Sequence, residues 1–211
     1  EKGEKKMDVL IEDGIVTKAP AISDQRSVEA EIIDAKGLLI FPGFIDCHVH
    51  FREPGLTHKA DMASESASAL AGGVTTVCEM PNTVPPTNSV DAFADKVRRA
   101  EQLAISNKQQ AIDIRFFFGA TKREHVDQLH RLFTDPALTD LKNRCSGLKI
   151  FFDHSTGDQG ADIAVIEHAF ETCAELNIVT VCHCEDAEMN KAISDQRSAM
   201  SSIEEHSFMR P

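Results

Sequence analysis

From Phe41 onward, short apolar runs alternate with longer stretches in which apolar residues return every three or four positions. The short runs predict strands at Phe44–Phe51, Thr75–Met80, Asp113–Gly119, Gly147–Phe152 and Ile178–Glu185. The longer stretches, rich in alanine and charged residues, predict helices near His58–Ala71, Val90–Leu103, Glu124–Phe133 and Ala161–Leu176. Strand starts recur about every 30 to 38 residues, the length of one strand-plus-helix unit. The pattern is therefore α/β with parallel strands, most simply a (β/α) barrel. A complete barrel needs eight units and about 250 residues. Five are legible here, so the expectation is the first portion of a barrel from a longer enzyme, with an open five-stranded sheet as the alternative.

Ahead of Phe41 the pattern changes. Met7–Gly14 and Ile15–Lys18 predict a hairpin turning at Asp13-Gly14. Glu31–Asp34 and Gly37–Ile40 predict further strands, and the apolar run Leu38–Ile45 reads as a buried one. The division falls at residues 1–40, a β segment, and 41–211, the barrel portion. One heptapeptide, Ala-Ile-Ser-Asp-Gln-Arg-Ser, occurs at both 21–27 and 192–198. Its surroundings differ, so it marks no domain repeat.

Charge narrows the function. A net charge of −12 and a pI near 5.1 argue against a nucleic-acid surface, which needs clustered lysine and arginine. No apolar stretch approaches the roughly 20 residues that span a bilayer, and no signal-peptide pattern is present. Six cysteines (Cys47, Cys78, Cys145, Cys173, Cys182, Cys184) sit mostly inside apolar segments and read as reduced core residues of a cytoplasmic protein.

The candidate chemistry gathers at predicted strand ends, where barrel enzymes place their sites. His48 and His50 lie two apart, so both imidazoles leave the same face of a strand and can share a metal ion. Pro54-Gly55 closes that strand, with Arg52 and Glu53 between. Asn82 follows the second strand in a proline-stiffened turn and can offer both a donor and an acceptor. Lys149 lies inside an apolar strand, a costly position unless the amine is paired or chemically altered. His183 ends the fifth strand; in Cys182-His183-Cys184, alternation puts the imidazole on the face opposite both thiols. Singly, each has an ordinary structural explanation. On one rim, three histidines and a lysine point to a metal centre.

Together, Pro42-Gly-Phe-Ile-Asp-Cys-His-Val-His-Phe-Arg-Glu-Pro-Gly55, Ala71-Gly-Gly-Val-Thr-Thr76, Met80-Pro-Asn-Thr83, Gly147-Leu-Lys149 and His183 resemble the dihydroorotases of the amidohydrolase superfamily. The resemblance runs from about Met7 to the end of the chain. Arg52 and Asn82 favour dihydroorotase over allantoinase-like relatives, which differ at those places. It implies a TIM-like metal-dependent hydrolase barrel, with residues 1–40 forming part of a small composite β-sandwich. It further implies zinc-dependent, reversible cyclisation of N-carbamoyl-L-aspartate to L-dihydroorotate in pyrimidine synthesis, by a cytoplasmic enzyme that is a homodimer at full length. In that scheme His48 and His50 hold one Zn2+, carboxylated Lys149 bridges to a second that also takes His183, Arg52 grips the substrate carboxylate and Asn82 orients it.

The family's remaining histidine ligand and its catalytic aspartate lie on later strands, so the isolated chain is expected to be inactive. Asp153, four residues after Lys149, is a weaker candidate for a lysine-like role, and His154 reads as a loop residue. The alternatives are another cyclic-amide hydrolase (an allantoinase or hydantoinase) and a non-catalytic dihydroorotase-like scaffold subunit.

Overall fold

A computed structural model describes residues 8–13, 15–17, 31–106, 112–152, 160–186 and 188–189. The chain divides into two compact units, Glu1–Ile40 and Phe41–Pro211. Asp153, His154 and both copies of the heptapeptide lie outside the described residues.

In the first unit, β1 (Leu10–Glu12) and β2 (Ile15–Thr17) form the expected antiparallel hairpin. The strands expected at Glu31–Asp34 and Gly37–Ile40 do not form. The Asp34 carboxylate accepts from the Lys36 amide at 2.9 Å, and the Leu38 amide donates to Ala35 at 3.0 Å. These local bonds make a turn of the segment, and Leu38, Leu39 and Ile40 stay exposed. The continuous buried strand expected from Leu38 to Ile45 is thereby corrected, because regular pairing starts only at Phe44.

The second unit alternates β3 (Phe44–Val49), α1 (Met62–Ala71), β4 (Val74–Glu79), α2 (Val90–Ser106), β5 (Asp113–Ala120), α3 (Arg123–Thr134), α4 (Thr139–Lys142), β6 (Cys145–Phe151), α5 (Ile163–Leu176) and β7 (Thr180–His183). A short 3-10 turn at Pro136–Leu138 and the small α4 had no signal in the apolar pattern. All four strand pairings are parallel, and spatial order equals chain order, β3-β4-β5-β6-β7. A doubly wound open sheet reverses its strand order part-way across. This one does not, so the five strands are consecutive staves of a partial barrel.

Alternation sorts the side chains. Ile114, Phe116, Phe118 and Ala120 of β5 and Leu148 and Ile150 of β6 are buried in one apolar cluster with Val126, Leu129 and Leu132 of α3 and Val165, Ile166 and Ala169 of α5. Cys182 packs against that cluster too. The cysteine expectation needs correction, since Cys173 alone among the six is fully buried while Cys47 and Cys184 are exposed. Ile45 on the edge strand β3 is exposed as well. Among the described residues no helix is long and apolar enough to cross a membrane.

Helix α1 begins four residues later than expected because Asp61 caps it. Its carboxylate accepts from the Ser64 amide at 2.7 Å, and the Asp61 amide donates to the Ser64 hydroxyl. Asp61→Ala should cost about 1 kcal/mol in denaturant unfolding at neutral pH. These amide bonds hold the Asp61 pKa below its ordinary 3.8. The cap is therefore worth its full value above pH 3.8 and is lost as pH falls through the lowered folded value, where parent and variant should converge.

Candidate active site

The site forms where β3, β4, β6 and β7 end. His48 lies on β3 and His50 directly follows its last residue, Val49, and the Asp46 carboxylate accepts the His48 amide at 3.0 Å. The two imidazole rings lie 5.4 Å apart, centroid to centroid. Both titrate below the ordinary 6.5. Burial is the main cause for each, and the positive charge of Lys149 adds to it. His183 also acts on His48, and Arg52 on His50. Both rings are thus neutral at pH 7, the state in which an imidazole nitrogen can ligate a metal.

Beyond the histidines, Arg52 sits at φ 66°, a left-handed conformation rare for a side chain of this size. The loop holds it there. The Leu56 amide donates to the Arg52 carbonyl at 3.0 Å, the Val84 amide donates to Pro54, and Gly55 packs so closely on Val84 that a Cβ would stand 2.0 Å from the Val84 oxygen. Glu53 does not face the histidines. Its carboxylate accepts from the Met62 amide at the start of α1 and pairs with Arg99 of α2 at 3.3 Å.

Asn82 turns toward β3, with its amide oxygen 2.8 Å from His50 Nδ1. A carbonyl oxygen only accepts, so Nδ1 carries the proton and Nε2 keeps its lone pair. That is the arrangement by which an outer partner orients a metal-binding histidine. The expected substrate contact is therefore joined by a positioning contact, while the amide NH2 remains suited to donate to a substrate.

Lys149 and Phe151 share a face of β6, and in the register with β7 they stand beside Val181 and His183. Lys149 is 3% exposed, its ammonium lies 4.6 Å from the centre of the Phe151 ring, and burial lowers its pKa from 10.5. The Phe151 ring also packs on His183, with centroids 5.4 Å apart. His183 Nε2 lies 3.0 Å from the Glu185 carboxylate. Glu185 was not expected, although it stands two residues on, the spacing that keeps a side chain on the same face.

At one end of the sheet His48 thus feels Lys149 and His183, and His50 feels His48 and Lys149, with Arg52 and Asn82 at the β3–β4 edge. Among the described residues no set of three or more His, Cys, Asp or Glu side chains is already gathered to hold a metal. The donor chemistry nonetheless fits a divalent cation: imidazoles oriented by Asn82 and Glu185, and a buried amine whose conversion to a carbamate would supply anionic oxygen.

Residues 39–209 match the model of the amidohydrolase family. The chain is 37% identical over 185 residues to a dihydroorotase of Carboxydothermus hydrogenoformans and 32% identical over 205 residues to one of Methanosarcina acetivorans, covering 86% and 97% of this chain. It spans only 38% and 40% of those two relatives. The solved L-hydantoinase (dihydropyrimidinase) of Arthrobacter aurescens superposes on 92% of this chain and 40% of its own, with a TM-score of 0.69 and 27% identity. Sequence match and strand order agree: this chain belongs to the amidohydrolase family.

Proposed function

We propose that the chain carries the His48–His50–Lys149–His183 side of a zinc-dependent dihydroorotase site. The observation that carries this reading is Lys149, an amine buried at a strand end whose charge bears on the His48–His50 pair. Carboxylated, it becomes an anion with two oxygens, and the cost of a buried ammonium disappears. His48 and His50 would hold one Zn2+, and carboxylated Lys149 together with His183 would hold a second. Zinc bound there supplies Lewis acidity toward a carbonyl and acidifies water.

The residues themselves position the substrate. Cyclising N-carbamoyl-L-aspartate joins its terminal ureido nitrogen to the side-chain carboxyl carbon and expels water; opening L-dihydroorotate adds water back. The other carboxylate persists throughout. Arg52, pre-set by its loop, grips it through two parallel N–H donors, and Asn82 donates from the NH2 left over by its bond to His50. The identity to dihydroorotases supports this reading, as does an arginine whose charge beside a cation pair calls for an anionic ligand. The complete enzyme on this reading is a cytoplasmic homodimer of pyrimidine synthesis, with residues 1–40 contributing to a small β-sandwich.

Two measurements test it. Dialysed with zinc and bicarbonate, the 211-residue chain should bind metal weakly and cyclise carbamoyl-aspartate far below a complete enzyme; full turnover by the chain alone contradicts the proposal. In the complete polypeptide carrying these residues, Arg52→Met should remove one bidentate charged contact and raise KM for carbamoyl-aspartate about 100-fold. The likeness to the L-hydantoinase favours a second reading, hydrolysis of an uncharged cyclic amide. On that reading Arg52→Met leaves turnover of a hydantoin or dihydropyrimidine nearly unchanged.

A further inference from the structure

Among the described residues, one buried ion pair is not used by the site chemistry. Glu79, the last residue of β4, and Lys96, on the inner face of α2, have side chains 1% exposed and pair with each other. An ion pair this dry contributes little net stability, since the desolvation of both charges offsets their attraction. Its other contacts are more informative. Lys96 Nζ also donates to the Met80 carbonyl at 3.0 Å. Met80 immediately precedes Pro81 and Asn82, and its own amide donates across to the Val49 carbonyl at 2.9 Å. On the other side the Phe51 amide and the Arg52 charge both favour the ionised Glu79 carboxylate. Phe51 lies between His50 and Arg52. The pair therefore holds backbone atoms of both loops that carry the site residues, at the residue between His50 and Arg52 and two residues before Asn82. Lys96 is fixed in turn by aromatic packing, with its ammonium 5.6 Å from the centre of the Phe116 ring.

We infer that Glu79 and Lys96 are positioning residues, a buried polar clamp that sets the separation of Arg52 and Asn82 and so the fit of the substrate between them. The inference rests on the reading of Arg52 and Asn82 given under Proposed function. Neither member of the clamp touches substrate. Its effect passes through the Phe51 amide and the Met80 carbonyl.

The test uses Glu79→Leu/Lys96→Met, an apolar pair of similar volume that avoids stranding a charge and so retains the fold. In the 211-residue chain, exchange of the Phe51 and Met80 amides should quicken about tenfold, while the core amides of Phe118 and Leu148 keep their protection. In the complete polypeptide, KM for carbamoyl-aspartate should rise about tenfold with a smaller fall in kcat. Glu79→Gln/Lys96→Met restores an oxygen beside Phe51 and should recover part of both effects. If the apolar pair fails to fold, this second variant is read in its place against the parent. Unchanged exchange at Phe51 and Met80, or faster exchange with KM unchanged, overturns the clamp. A parent that turns over no carboxylate-bearing substrate defeats the functional reading instead, and the exchange rates still judge the clamp.

Discussion

Lys96→Met alone should destabilise the protein by about 3–5 kcal/mol, because it strands a carboxylate inside the core. In the parent, burial raises the Glu79 pKa to about 7 even though Lys96 pulls it down. Removing Lys96 removes that attraction and its hydrogen bond, so Glu79 in the variant rises further. The pH dependence follows from the direction of the shift. Between the 4.5 of an ordinary glutamate and the raised folded value, the folded state holds a proton that the unfolded chain has released. Stability therefore falls as pH climbs through that window, and the loss is complete above the folded pKa. Urea melts at pH 5 and pH 8 should show the larger deficit at pH 8. Glu79→Gln should tilt the other way. It leaves an amine whose pKa burial has lowered from 10.5, so the folded state sheds its proton first and stability grows with pH toward 10.5. Deficits independent of pH in both variants would show that neither group is held as dry as the structure places it.

The contrast between Lys96 and the β3 histidines marks what the sequence makes legible. His48 and His50 declare themselves because strand periodicity is local: two residues apart means one face. Helical periodicity likewise places Lys96 on the buried stripe of α2, three residues after Phe93 and one before Val97. A lysine there looks like a solvated neighbour of that stripe, because what keeps it inside is Glu79, 17 residues away on strand β4. The same distinction explains Asn82, whose turn was legible but whose bond to His50 spans 32 residues. It also explains the misread apolar run at Leu38–Phe41, since hydrophobicity nominates a strand but only a neighbour with free N–H and C=O groups makes one. Barrel order was legible from spacing, and the staves between Phe44 and His183 fall within a few residues of their expected bounds. The small α4 was not, because a four-residue helix is too short to show a period.

Gly147→Ala should separate the two strands that carry Lys149 and His183. Gly147 stands at φ 139°, a region essentially closed to residues with a Cβ. A Cβ built there would lie 2.3 Å from the Val179 carbonyl oxygen and 3.1 Å from its carbon. That oxygen accepts the Leu148 amide at 2.9 Å, the first rung of the ladder that continues through Lys149–Val181 to Phe151–His183. Backbone strain alone costs about 1–3 kcal/mol. The clash adds to it, because the obstructing atom is a carbonyl already engaged in the ladder rather than the mobile end of a side chain. Relief must come by moving β7 away from β6, which takes His183 away from the lysine. A thermal melt should record the lost stability, and exchange of the Leu148 amide should quicken before that of Phe118 in the neighbouring strand β5. Zinc titration should show weaker binding at the site to which His183 contributes, while the His48–His50 pair on β3 keeps its affinity. Gly72→Ala, where a Cβ meets nothing closer than 3.4 Å, is the control and should leave all three readouts near the parent. If Gly147→Ala melts and binds like that control, the close approach of β6 to β7 is not what sets the spacing of Lys149 and His183.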